Sequence, residues 1–120
     1  MSQPNVNIGC VSNLFVRQMH FAQVGDSEMG HAHAFDHMTL LAKGRLKVRI
    51  NDEDTEFTAP QMIFIKAELQ HELTALTDNV VAYCIHALRD KTSGDILDPS
   101  MVPKSRELYE LLHSLVIKDA

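Results

Sequence analysis

Three of the seven histidines stand at a spacing that can do chemistry. They lie in the segment Gly25-Asp26-Ser27-Glu28-Met29-Gly30-His31-Ala32-His33-Ala34-Phe35-Asp36-His37. Residues two apart on a strand leave from the same face, so His31 and His33 would present two imidazoles side by side. His37 keeps that parity if the strand continues. Neutral imidazole is a common ligand of zinc, iron, copper and nickel, so one strand could supply most of a coordination sphere. Histidines on an exposed strand can equally be plain surface residues, and spacing alone leaves both readings open.

Short β-type runs must position these residues. Leu14 to Val24 alternates loosely, with Phe15, Arg17, Met19 and Phe21 on one parity. The turn Gly25-Asp26-Ser27 leads into the histidine segment, and Met38 to Ala42 follows it before a second turn at Lys43-Gly44. Arg45 to Ile50 alternates cleanly, with Leu46, Val48 and Ile50 facing a core. Asn51-Asp52-Glu53-Asp54 reads as a hairpin loop and Thr55 to Thr58 as its returning strand. Met62 to Ile65 is an apolar run after Pro60. Val80 to Leu88 is rich in β-branched and aromatic residues. Short strands with no helix between them predict an all-β sandwich or barrel rather than βαβ units. From Arg89 the pattern changes. Residues 89–104 carry Gly94, Pro99 and Pro103 and read as a connector. Over about 105–118, Leu108, Leu111, Leu112 and Leu115 recur at helical spacing behind Ser105 as N-cap and Glu107 in the first turn, which predicts one short C-terminal α-helix.

The bulk properties narrow the function. A chain of 120 residues is one domain, 1–120, with a net charge of -5 and no basic block. Lys43, Arg45, Lys47 and Arg49 alternate with Gly44, Leu46, Val48 and Ile50, which is the wet face of a strand, so no nucleic-acid partner is expected. No apolar run reaches the roughly 18 residues of a membrane span, and Met1 to Gly9 lacks the layout of a secretory signal. Cys10 and Cys84 lie far apart and outside any CxxC; a disulfide between them is one reading, and buried free thiols in a reducing cytoplasm the simpler one.

The histidine segment resembles the first motif of the cupin family, small jelly-roll barrels holding one metal. That motif runs glycine, five residues, His-x-His, three or four residues, glutamate, six residues, glycine. Here Gly25, His31, His33, His37 and Gly44 keep every spacing, with His37 where the family usually has glutamate. The second motif is a Gly-Asp turn, an apolar strand, a Pro-x-Gly turn and a histidine. Its counterpart is Pro60-Gln61-Met62-Ile63-Phe64-Ile65-Lys66-Ala67-Glu68-Leu69-Gln70-His71, which keeps the strand and His71. Pro60 stands for the first glycine, Lys66 for the proline and Glu68 for the second glycine. The resemblance covers about residues 14–88. It implies a cupin-like jelly-roll barrel, the metal ligands His31, His33, His37 and His71, and a homodimer; the leucine stripe of the C-terminal helix could cover the dimer interface or pack on the outside of its own barrel.

Replacing the usual carboxylate by His37 would leave the ion with both its positive charges, which favours an anionic ligand and a more acidic bound water. Four imidazoles suit Zn, Ni, Fe or Cu better than the oxygen-seeking Mg or Ca. Histidine must be neutral to bind, so the metal should be lost below about pH 6. His86, Tyr83 and Glu28 are the candidates for acid–base work, although a packed histidine at 86 and a solvated turn at Glu28 are the simpler readings. Tyr83, Phe64 and Met62 could line the barrel mouth or simply pack. The expected function is action on a small, anionic molecule in the barrel, of oxygenase, isomerase or lyase type. The alternatives are a non-catalytic binding or sensing module and a purely structural metal.

Overall fold

A computed structural model describes residues 2–31, 36–90 and 93–98, and of residues 29–31 the backbone alone. Nine strands form two antiparallel sheets: β1 (Asn5–Val11), β2 (Leu14–Phe21), β3 (Ser27–His31), β4 (His37–Lys43), β5 (Arg45–Ile50), β6 (Glu53–Thr58), β7 (Gln61–Ile65), β8 (His71–Ala75) and β9 (Val80–Ala87). One sheet has the order β1-β2-β9-β4-β7 and the other β3-β8-β5-β6. The chain thus crosses between sheets after β2, β3, β4, β6, β7 and β8, the wrapping of a jelly roll. The all-β expectation holds among the described residues, and the C-terminal helix lies outside them.

Alternation decides which side chains fill the space between the sheets. Met19, Phe21, Leu41, Leu46, Val48, Ile63, Ile65, Leu73, Ala75, Val80 and Ala82 form the main core, and Phe15 with Leu88 a smaller one. On β5 the inward Leu46 and Val48 are fully buried, whereas Arg45 and Arg49 are exposed, so the basic run is indeed a wet strand face. Burying each such leucine or valine contributes about 1.5–3 kcal/mol.

Three sequence expectations change. The polar N-terminal stretch contains β1, held by pairing with β2 from Asn5↔His20 to Val11↔Leu14 rather than by an apolar pattern of its own. The β5–β6 loop is only Asn51-Asp52, because Glu53 already pairs with Ile50. Both turn residues take positive φ, 48° and 69°, the backbone of a tight two-residue hairpin that suits Asn and Asp. Finally, His71–Ala75 forms β8, a strand beyond those the sequence predicts, in which His71, Leu73 and Ala75 point inward and alternate with Glu72 and Thr74. Beyond β9, an isolated bridge from Arg89 to Ile96 gives the connector some order.

Candidate functional site

Two glycines bracket the histidine segment, and both carry positive φ: Gly25 at 92° and Gly44 at 84°. Gly25 donates its N–H to the Ala75 carbonyl (2.9 Å) in the turn between β2 and β3. Gly44 is the single residue between β4 and β5. A Cβ there would lie 2.8 Å from Thr77 Oγ1 and 2.9 Å from Val80 Cγ2. The motif's glycines are therefore backbone requirements at the two corners that turn the chain in and out of the segment.

The histidines do not share one strand. His31 ends β3 in the four-stranded sheet, and His37 begins β4 in the five-stranded sheet. The expectation that His37 continues the parity of His31 and His33 is corrected by this change of sheet. The backbone of His31 pairs with His71 across β3 and β8. His33 lies outside the described residues. His37 and His71 meet across the gap between the sheets, with ring centroids 5.0 Å apart and planes at 48°. They are only 6% and 4% exposed.

Local hydrogen bonds hold both residues. Asp36 Oδ1 accepts the Ala67 N–H at 2.7 Å, which ties the start of β4 to the turn after β7. His71 Nδ1 lies 3.2 Å from the Leu69 carbonyl oxygen. A carbonyl only accepts, so Nδ1 carries the hydrogen, and in the neutral ring that leaves the lone pair on Nε2, the nitrogen through which the residue could ligate.

This pair fits a metal. A bond of about 2.1 Å from ion to nitrogen sets a ring centroid about 3.2 Å from the ion, and ligand angles of about 90–109° then separate two centroids by about 4.5–5.2 Å. The observed 5.0 Å falls in that range. Among the described residues no three His, Cys, Asp or Glu side chains gather as a metal-binding group; of the four expected ligands, His37 and His71 are the two whose side chains the structure describes.

The acid–base candidates separate. Tyr83 sits on the outer face of β9, where its hydroxyl accepts from Gln18 Nε2 at 2.9 Å; it does not line the interior. His86 stacks on Phe15 at 4.8 Å between centroids, and its Nδ1 donates to the Ala87 carbonyl at 3.0 Å. Burial lowers its pKa, Arg89 lowers it further, and the Ala87 bond opposes both. Glu28 is not a solvated turn residue. It lies on β3 opposite Leu73 and forms an ion pair with Arg17, Nη1 to Oε1, at 2.7 Å. The sequence places Arg17 on the parity of Phe15, Met19 and Phe21 without giving it a role, and a charged residue in that apolar row is itself a signal. Cys10 and Cys84 are free thiols, and Cys84 hydrogen-bonds Thr39 Oγ1 at 3.4 Å. Burial pushes the pKa of both thiols up.

Phe64 and Met62 do not pack in the interior either. Their side chains project from the outer face of β7, and Phe64 is 73% exposed. Phe64 borders an open cleft of about 430 Å³ that His37, Met38, Ile65, Lys66 and Ile85 also line. No helix among the described residues is long and apolar enough to cross a membrane.

No protein-family model matches the chain, and no curated protein sequence matches it. Solved structures do. An RmlC-like cupin family protein with a double-stranded β-helix fold from Methanocaldococcus jannaschii superposes with a TM-score of 0.64 at 9% identity, over 72% of this chain and 82% of that one. KdgF from Halomonas sp. gives 0.62 at 16% identity, over 71% and 80%. A cupin-2 domain protein from Shewanella frigidimarina gives 0.60 at 15% identity, over 72% and 83%.

Proposed function

We propose, from the premise that this chain carries the double-stranded β-helix fold of the cupins, that it binds one divalent transition metal ion through His31, His33, His37 and His71 and acts on a small anionic molecule in the barrel. The observation that carries the reading is the His37–His71 pair, two buried imidazoles brought from different sheets to the spacing of neighbouring ligands. When bound, an ion of the Zn, Ni, Fe or Cu class would supply a Lewis acid for an anionic oxygen or a bound water. The chain's own residues orient this chemistry: Leu69 fixes the His71 tautomer, and Asp36 anchors the strand that starts with His37.

An oxygenase, isomerase or lyase is the catalytic form of this reading. The fate of the acid–base candidates favours a second form, a non-catalytic module for binding or sensing a small molecule. Of the three, Tyr83 faces outward, His86 is held against Phe15, and Glu28 is committed to Arg17.

The test is elemental analysis of protein purified without a nickel column. Near-stoichiometric metal is expected in the wild type, with loss in His71→Ala and retention in His37→Glu, which restores the usual carboxylate. Metal content unaffected by His71→Ala would rule out the site. For assembly we propose a homodimer through the outer face of the five-stranded sheet. There Phe64, Met38, Ile85 and Val16 form one apolar row across β7, β4, β9 and β2. Light scattering should give twice the chain mass, reduced to the monomer in Phe64→Lys; a monomeric wild type would refute this.

A further inference from the structure

A small barrel is ordinarily filled with apolar side chains. Here the inward face of β2 reads Phe15, Arg17, Met19, Phe21, and the arginine interrupts it. Its guanidinium crosses from the five-stranded sheet to Glu28 in the four-stranded sheet, with the two side chains 21% and 15% exposed. Nη1 also lies 3.3 Å from Met19 Sδ. Nε is buried and has no hydrogen-bond partner among the described residues.

Strand register fixes the depth of this pair. Arg17 is opposite Cys84, Cys84 opposite Thr39, and Thr39 follows His37 by two residues on β4. In the other sheet Glu28 is opposite Leu73, which follows His71 by two residues on β8. The ion pair therefore lies one inward-facing layer, about 6.6 Å along the strands, below the His37–His71 layer. Beneath it come the buried Met19, Leu41 and Ala82.

Stability alone does not account for the arrangement. Replacing a buried ion pair by apolar residues of similar volume is commonly neutral or stabilising. A guanidinium has five N–H donors, Glu28 accepts from Nη1, and burial withholds water from Nε. A planar carboxylate is the partner whose geometry such a fork fits.

We propose that Arg17 is the anion-recognition residue of the barrel. It binds the carboxylate of a short organic acid whose other oxygen-bearing end lies in the histidine layer, and Glu28 is a positioning residue that holds the guanidinium across the lumen. This inference rests on reading the barrel interior as the ligand site, and not on the identity of the metal. Glu28 competes with the ligand for the same cation, which gives the two residues opposite signatures.

The probe is succinate, with uncharged succinamide as control, titrated calorimetrically into the metal-loaded protein, with metal content measured on the same samples. Succinate should bind and succinamide should not. Arg17→Met should weaken succinate about 10- to 100-fold, the worth of hydrogen bonds to a charged group. Glu28→Gln, which keeps an acceptor but removes the competing charge, should strengthen it severalfold; a merely structural ion pair would give no gain. If Arg17→Met does not fold, the Glu28→Gln result decides. Equal binding to wild type and Arg17→Met, or no succinate binding by the wild type, overturns the inference. Metal retained alongside Arg17-independent binding overturns it alone. Arg17-dependent binding by a wild type that takes up no metal overturns the metal reading instead.

Discussion

Replacing Gly44 by alanine probes the corner that separates the histidine segment from β5, and Gly25→Ala provides its internal control. Both glycines have positive φ, 84° and 92°, so each alanine pays the left-handed penalty of about 1–2 kcal/mol. At Gly25 a Cβ meets nothing within 4 Å, so that conformational cost is the only one in the folded state. At Gly44 the Cβ would sit 2.8 Å from Thr77 Oγ1, 2.9 Å from Val80 Cγ2 and 3.3 Å from Val80 Cα. The Thr77 hydroxyl accepts the Arg45 N–H at 3.0 Å, and Val80 is fully buried in the core, so neither neighbour yields without loss. Overpacking of this kind adds about 1–3 kcal/mol. Reduced freedom of the unfolded chain returns about 0.4–1 kcal/mol in both variants. The expected costs are therefore roughly 1 kcal/mol for Gly25→Ala and roughly 2–4 kcal/mol for Gly44→Ala. Equilibrium urea denaturation with an unchanged slope measures both. Equal losses in the two variants would refute the steric argument, and a neutral Gly44→Ala would refute the corner itself.

Glu68 occupies φ 68° where the resemblance places a glycine, so Glu68→Gly should raise stability by about 0.5–1 kcal/mol, seen as a higher melting temperature; a lower one would show the side chain to be needed. Burial lowers the His86 pKa, so the unfolded chain binds the proton that the folded chain refuses. Its contribution is complete above the reference value of about 6.5 and is lost as pH falls through the lower folded value. Stability measured from pH 7.5 down to 5 should fall less steeply in His86→Phe than in the wild type, and parallel curves would contradict this.

Alternation fixes which face of a strand is buried, and that information is local. It placed Leu46 and Val48 inside and Arg45 and Arg49 outside, grouped Phe15, Arg17, Met19 and Phe21 on one parity, and marked β7 and β9 within a residue. The spacing of Gly25 and Gly44 around the histidines anticipated two corners that need positive φ. Polar β1 and the short β8 were harder to see, because pairing with β2, and with β3 and β5, holds them in place.

The four histidines show the division most clearly. Their types and spacing by themselves suggest an imidazole-rich site and the chemistry it would suit, and leave the plain surface reading open beside it. Only the tertiary structure decided that His37 starts a strand in the sheet facing His31, that His71 reaches it at 5.0 Å, and that Arg17 finds Glu28 across the barrel. The physical reason is that a side-chain pattern encodes the faces of one strand, whereas partners between sheets depend on how hydrogen-bonded pairing wraps distant segments around a common core.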